Sequence, residues 1–252
     1  MLLKNRVAFV TGAGSGIGAA GAEALAREGA LVIVTDKDGA AAATVAARIT
    51  DEGNKAKALT IDVTDDAELV SAIEDVARNE GRLDILHSHA GVQIEGKLEQ
   101  VAVEDMDLSW RLNVRSHFVA AKAVLEPMRR QGGGSIIITS SNSGVQFDRE
   151  MIAYATTKHA VLAMTRQMAA DYARENIRFN ALCPGFIDTP FNLGFEVQMG
   201  GRDKLENYIR EAIPMGRFGT VDEIADAIVF LASDKSSFMT GHAFVVDGGE
   251  CI

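Results

Sequence analysis

The sequence has few cysteines, few prolines and no basic excess: its 252 residues include two cysteines, four prolines and a formal charge of −10 at pH 7. Because no cationic surplus is available to neutralise a phosphate backbone, a nucleic-acid partner is not expected. Cys183 and Cys251 are far apart and match no ligand spacing, which disfavours a structural zinc or a disulfide framework. We therefore expect a cytoplasmic protein without a metal.

Long apolar runs are also missing. No segment approaches the roughly 18 apolar residues of a membrane span, and the first ten residues lack the basic start, apolar run and cleavage site of a signal peptide. We expect a soluble protein with no membrane partner. Since no proline-rich or serine-rich linker divides the chain, we predict a single domain over residues 1–252.

Short β-branched runs alternate with longer segments of helical apolar spacing. The runs are Val7 to Val10, Leu31 to Thr35, Ala58 to Ile61, Leu83 to Leu86, Ser135 to Thr139, Ile177 to Leu182 and Ala243 to Val246. The helical segments are Gly16 to Glu28, Asp65 to Glu80, Glu104 to Arg130, Tyr154 to Glu175 and Val221 to Ala232, with a further surface helix in the alanine-rich stretch Ala40 to Ala47. This alternation predicts an α/β fold: a doubly wound, mainly parallel seven-stranded sheet with helices on both faces. The span Pro184 to Pro214 breaks the pattern and is predicted to be a substrate loop or lid that can contain short helices.

A glycine-rich loop directly follows the first predicted strand. It reads Thr11-Gly12-Ala13-Gly14-Ser15-Gly16-Ile17-Gly18 and opens into a helix, a context typical of pyrophosphate binding by backbone amides. The second strand ends at Asp36, where a carboxylate accepts hydrogen bonds from an adenosine ribose. Its charge would repel a 2′-phosphate, so NAD is favoured over NADP, although Lys37 keeps NADP open. The alternative interpretation is that Asp36 only caps the next helix.

Together with Tyr154-x-x-x-Lys158, this loop resembles the short-chain dehydrogenase/reductase family, and the resemblance runs through nearly the whole chain. It also covers Asp62-Val63, Ala90-Gly91, Asn113, Ser141, Pro184-Gly185 through Thr189, and Asp247-Gly248-Gly249. The resemblance implies a Rossmann fold and hydride transfer between a nicotinamide cofactor and a substrate carbon. It also implies a homotetramer.

The resemblance assigns four catalytic positions. Tyr154 would exchange the proton of the substrate oxygen, Ser141 would hold that oxygen, Lys158 would bind the nicotinamide ribose, and Asn113 would support a water linked to Lys158. Spacing adds that Tyr154 and Lys158 share a helix face, and a neighbouring ammonium favours phenolate. We therefore expect Lys158 to lower the pKa of Tyr154.

The same resemblance places the cofactor contacts along the strand ends. They are Gly12, Ser15, Gly16, Ile17, Gly18, Asp36, Asp62, Val63, Ala90, Gly91, Tyr154, Lys158, Pro184, Gly185, Ile187 and Thr189. One position departs from the family, which usually has Asn-Asn-Ala-Gly where this chain has Ser88-His89-Ala90-Gly91. A catalytically idle dinucleotide sensor or scaffold is therefore one alternative function. His87, His89 and His117 are expected to be structural, because no carboxylate stands at a matching metal-ligand spacing.

Substrate choice is expected to lie in the loops. The candidate substrate-binding residues are Gln93, Ser143, Gln146, Arg149 and Phe186. They suggest a polyol, sugar acid, hydroxy acid or cyclic alcohol, and Arg149 would hold a carboxylate unless it pairs with Asp148 or Glu150. We predict an NAD-dependent oxidoreductase acting on a secondary alcohol or ketone. An NADPH-dependent 3-oxoacyl thioester reductase is the alternative within the family.

Overall fold

The computed structural model describes residues 1–252, and its centre is a sheet of seven strands. The strands are β1 (Val7–Thr11), β2 (Leu31–Asp36), β3 (Lys55–Thr60), β4 (Ile85–Ser88), β5 (Gly134–Thr139), β6 (Ile177–Pro184) and β7 (Ala243–Val246). All pair in parallel in the order β3-β2-β1-β4-β5-β6-β7. The predicted doubly wound parallel sheet is confirmed, and its strand order reverses between β1 and β4.

Nine α-helices connect and cover the strands. They are α1 (Gly16–Arg27), α2 (Gly39–Asp51), α3 (Asp66–Asn79), α4 (Val103–Trp110), α5 (Ser116–Gln131), α6 (Ile152–Tyr172), α7 (Leu193–Met199), α8 (Arg202–Ala212) and α9 (Val221–Ala232). Apolar residues of α1, α2 and α9 pack on one face of the sheet, and those of α3, α5 and α6 pack on the other. A membrane-spanning helix is absent, since none combines the necessary length with a sufficiently apolar composition.

Side-chain caps mark where several helices begin. The Asp38 and Asp65 carboxylates accept backbone N–H bonds at the starts of α2 and α3, and Thr220 and Glu223 form a reciprocal capping box at α9. In contrast, the side chain of Ser15 makes no capping bond at α1. The first-turn amides of α1 are therefore available to an anion.

The long helix predicted from Glu104 to Arg130 is divided in the structure. Residues Arg111–Arg115 form a π-helical turn between α4 and α5. Such a turn bonds i to i+5 and so accommodates one extra residue. Hydrophobic spacing cannot distinguish it from a regular helix, because the apolar face continues on both sides.

The segment between β6 and α9 contains α7 and α8. Leu205, Ile209 and Ile213 form a small buried cluster there, next to Phe186. Arg202 adds ion pairs to Asp188, Glu196 and Glu206 at 3.0, 3.1 and 2.8 Å. The segment predicted as a substrate loop therefore has its own apolar core and helical structure, and it packs beside the carboxyl end of β6.

Candidate active site

A cavity of about 910 Å³ lies along the carboxyl-terminal edge of the sheet. It passes the reversal of strand order between β1 and β4, which is where ligands bind in open α/β sheets. Most of the predicted site residues line it: Gly12, Ser15, Gly16, Ile17, Asp36, Asp62, Val63, Ala90, Gly91, Gln93, Ser141, Ser143, Arg149, Tyr154, Lys158, Pro184, Gly185, Phe186, Ile187 and Thr189. Gly18, Asn113 and Gln146 do not line the cavity.

The glycine loop is shaped as a cradle for a bulky anionic group. Gly12 has φ +65°, and a Cβ there would lie 2.9 Å from the Ala90 Cα atom. Gly16 also has a positive φ, of +52°. Gly18 must be glycine for a different reason, because a Cβ there would overlap the Gly12 carbonyl oxygen. Gly18 therefore allows α1 to pack tightly on the loop, and the surrounding cradle fits a pyrophosphate.

Asp36 lies at the end of β2 and lines the cavity next to this loop. Its two carboxylate oxygens accept one bond each, from the Gly14 and Asp38 amides, both at 3.0 Å. Helix α2 is capped by Asp38, so the alternative interpretation of Asp36 as that helix cap is wrong. A carboxylate oxygen has a further lone pair after one bond, and Asp36 therefore keeps acceptor capacity toward the cavity.

Tyr154 and Lys158 lie one turn apart on α6, and the Lys158 Nζ atom is 5.4 Å from the centre of the Tyr154 ring. Burial raises the pKa of Tyr154 to about 12, against the opposing effect of the Ser141 hydroxyl. Burial also lowers the pKa of Lys158 to about 8. The expected net lowering of the Tyr154 pKa is not found, because the loss of solvent outweighs the effects that favour the phenolate. The Lys158 ammonium instead donates to the Thr139 carbonyl at 3.0 Å.

Asn113 lies in the π-helical turn and is fully buried. Its Oδ1 atom accepts from the Val92 amide and its Nδ2 atom donates to the Val92 carbonyl, both at 2.8 Å. A Cβ on Gly91 would lie 2.8 Å from Asn113 Oδ1 and 3.6 Å from Lys158 Nζ. Asn113 therefore lies behind the cavity wall, where it holds the loop after β4 close to Lys158.

His89, the departure from the family pattern, is joined to the same network. Its Nδ1 atom lies 3.0 Å from the Thr139 hydroxyl, which also contacts His87 Nε2 at 3.0 Å. Burial lowers the pKa of His89 to about 4, so its ring is neutral at pH 7. The Thr139 carbonyl in turn accepts from Lys158. His89 therefore supports the residue that positions Lys158.

We expect His89→Asn to preserve this support, because an asparagine amide atom occupies nearly the same place as histidine Nδ1. His89→Leu removes the bond, which should cost about 1 kcal/mol and lower Tm by roughly 2–4 °C for a chain of this size. Thermal unfolding of the two variants beside the unmodified protein measures the difference. Equal Tm values for His89→Leu and the unmodified protein would contradict the supporting role.

Two acidic side chains, Glu250 and Asp148, line the cavity together with Tyr154, and the sequence did not predict that they lie together. Asn142 Nδ2 donates to Glu250 Oε2 at 2.9 Å, and the Ser143 hydroxyl donates to Asp148. Gln146 does not itself line the cavity, but its Nε2 atom donates to Oδ1 of the lining residue Asp148 at 3.4 Å.

Arg149 is an exposed lining residue and pairs with neither acid proposed for it. Glu150, the second of those acids, pairs with Lys97 at 3.4 Å. Gln93 lines the cavity and donates to Glu95 at 2.6 Å.

Sequence reasoning missed several lining residues that come from distant parts of the chain. They are Thr139, Gln198, Tyr208 and Glu250. Glu250 follows the Gly248-Gly249 pair, whose φ angles are +68° and +93°. The two glycines turn the chain after β7, and only the folded structure shows that this turn brings Glu250 beside Asn142.

Comparison with known proteins identifies the family. The profile described as "Enoyl-(Acyl carrier protein) reductase" matches residues 12–250. A 2-(S)-hydroxypropyl-CoM dehydrogenase from Xanthobacter autotrophicus is 39% identical over 250 residues, covering 98% of this chain and 97% of the relative. The chain belongs to the short-chain dehydrogenase/reductase family, as the motifs predicted.

Solved structures agree with this assignment. A gluconate 5-dehydrogenase from Burkholderia cenocepacia, in complex with NADP and tartrate, superposes with a TM-score of 0.92 at 35% identity, covering 98% of this chain and 96% of that one. A 7α-hydroxysteroid dehydrogenase complexed with NADH and 7-oxo glycochenodeoxycholic acid gives 0.91 at 32% identity, with coverage of 98% and 94%. Relatives of similar fold therefore bind either dinucleotide, and the choice in this chain depends on its own residues.

Proposed function

We propose that the protein is an NAD-dependent oxidoreductase that interconverts a secondary alcohol and a ketone. The observation that carries this proposal is the single cavity in which a glycine cradle and Asp36 lie at one end and Ser141, Tyr154 and Lys158 at the other. A bound nicotinamide dinucleotide would supply or accept the hydride at C4 of its ring. The protein's part is to bind both molecules and to move one proton.

Tyr154 is the proposed general acid and base. Since its pKa is raised to about 12, its hydroxyl is protonated at neutral pH and can donate to the oxygen of a ketone. The buried Ser141 hydroxyl, which acts on Tyr154 and donates to Asn142 Oδ1 at 2.9 Å, would hold the same oxygen. Alcohol oxidation requires the opposite transfer, from substrate to phenolate, so that direction should become faster as the pH rises toward the tyrosine pKa.

Asp36 supports the choice of NAD over NADP. The carboxylate lies where the adenosine ribose is expected, and a 2′-phosphate at that place would meet a like charge. A reductase acting on 3-oxoacyl thioesters with NADPH is the second candidate. The similarity to the reductase profile and a 35% identity to a 3-oxoacyl-[acyl-carrier-protein] reductase from Thermotoga maritima favour it.

A panel of secondary alcohols and ketones, including a 3-oxoacyl thioester, tests these candidates when assayed with NAD(H) and NADP(H) at 340 nm. We expect turnover with NAD(H) and enhanced NADH fluorescence on binding. Turnover of the thioester with NADPH alone would establish the second candidate. Cofactor binding without turnover of any member would favour the sensor or scaffold that the His89 departure suggests.

A further inference from the structure

Two carboxylates dominate the substrate end of the cavity. Glu250, from the turn after β7, and Asp148, from the loop before α6, line the same cavity as Tyr154 and Ser141. The hydrogen-bond partners of these carboxylates are uncharged: Asn142 for Glu250, and the Ser143 and Gln146 side chains for Asp148. Neither carboxylate forms an ion pair with a cationic side chain of the protein, and Glu250, whose pKa is raised to about 7, carries its full charge only above neutral pH.

The titration of neighbouring groups records the same negative potential. Burial, then Asp148 and Asp247, raise the pKa of Glu250 to about 7, against the opposing effect of Asn142 and Gln146. Burial, then Glu250 and Asp148, also raise the pKa of Tyr208, which reaches the cavity from α8. Burial is the larger cause in both groups, and Asp148 adds to the rise of both pKa values although Glu250 and Tyr208 lie on separate elements.

The two cations that line this part of the cavity do not balance these acids. Lys158 is buried below Tyr154 and directs its ammonium to the Thr139 carbonyl. Arg149 is exposed, where solvent and salt screen its charge. A substrate carboxylate placed near Glu250 would therefore meet like charge in a partly desolvated site, and repulsion of this kind is a recognised source of specificity.

We propose that Glu250 and Asp148 make this cavity select against acid-bearing molecules, so that the substrate is an alcohol or ketone without a carboxylate or sulfonate group. This inference rests on the proposed function. Of the substrate classes that the loop residues suggest, it keeps polyols and cyclic alcohols and excludes sugar acids and hydroxy acids. It also separates this chain from the gluconate 5-dehydrogenase that it resembles, since gluconate is a carboxylate.

A thiol placed in the cavity tests the charge without any knowledge of the substrate. In a Cys251→Ser background, Met199→Cys puts an accessible thiol in the lining, while Cys183 is buried. Its reaction rates with 2-(trimethylammonio)ethyl and 2-sulfonatoethyl methanethiosulfonate are compared at about pH 8.5, where Glu250 is ionised, each normalised to a free thiol in solution. We expect the cationic reagent to be favoured at least about threefold.

The variants Glu250→Gln and Asp148→Asn should each lower this preference, the ratio of the cationic to the anionic reaction rate, toward one. Glu211→Gln, an exposed change outside the cavity, should leave it unchanged. Phe147→Cys provides a second lining position if Met199→Cys does not fold. A preference of one or less in the cavity, or a preference that both acid-removing variants leave intact, overturns the proposal.

Matched substrates extend the test to catalysis. Sorbitol, gluconate and glucamine share one polyol chain and differ at one end by a neutral, an anionic or a cationic group. We expect kcat/KM to be lowest for gluconate. In Glu250→Gln, the ratio of kcat/KM for sorbitol to kcat/KM for gluconate should fall about tenfold. Preferred turnover of gluconate overturns the proposal. Absence of all turnover across the wider panel counts against the proposed function instead, while the thiol rates still decide the charge selection.

Discussion

Replacement of Tyr154 by phenylalanine should lower kcat by about 10²–10⁴-fold, the range typical of general acid–base catalysis. Only the hydroxyl is lost, and the ring keeps its packing against Met151 and Ala155 in a small buried cluster. The dissociation constant of NADH should therefore stay within about threefold of its original value. Steady-state rates with the best substrate of the panel, together with NADH fluorescence titration, measure both effects.

Tyr208→Phe is the matched control for this change. Tyr208 lines the same cavity and loses the same hydroxyl, but it lies on α8 rather than beside Ser141 and Lys158. We expect it to retain most of the activity. Turnover by Tyr154→Phe at more than a tenth of the original kcat would show that another group transfers the proton. A similar loss in Tyr208→Phe would show that general damage to the cavity explains the first result.

Asp36→Asn should shift cofactor preference toward NADP by about 10- to 100-fold, the size expected when a like charge beside the 2′-phosphate is removed. Asparagine keeps one carbonyl oxygen as an acceptor for the Gly14 or Asp38 amide, so the glycine loop should remain formed. Lys37, which also lines the cavity, is then free to pair with the phosphate. The ratio of NADPH to NADH dissociation constants measures the shift.

Asp38→Asn removes the same charge two residues away and serves as the control. Asp38 caps α2 and does not line the cavity, and asparagine is an equally good cap. Its cofactor preference should match that of the unmodified protein. Tighter binding of NADPH than NADH by the unmodified protein would refute the role given to Asp36. Equal shifts in both aspartate variants would show that only the net charge of the region matters.

Much of the fold follows from local sequence patterns. The β-branched runs predict all seven strands to within a few residues, and the helical spacing predicts most of the covering helices. These elements are readable because each must bury one apolar side, and that requirement appears as periodicity. The π-helical turn at Arg111–Arg115 is missed for the same reason, since one inserted residue leaves the apolar face intact.

The candidate site divides in the same way. The glycine loop, Asp36, Tyr154 and Lys158 are found in the sequence because their chemistry depends on neighbours a few positions away. The sequence does not show how deeply Tyr154 is buried, and this burial raises its pKa where the neighbouring Lys158 predicts a lowered one. Polarity and loop position favour Gln146 as a substrate-binding residue, whereas in the structure it contacts the lining residue Asp148 and does not line the cavity itself.

The sequence by itself determined the parallel sheet, the glycine-rich loop and the family, because periodicity and short motifs are carried by residues close together along the chain. Only the tertiary structure decided which side chains share the substrate end. Glu250 and Asn142 are separated by 108 positions, yet their side chains are 2.9 Å apart. Such contacts arise because strands and loops from distant parts of the chain converge at one edge of the sheet. The charge of the substrate end depends on the burial of these side chains and the distances between them, and neither appears in a local sequence pattern.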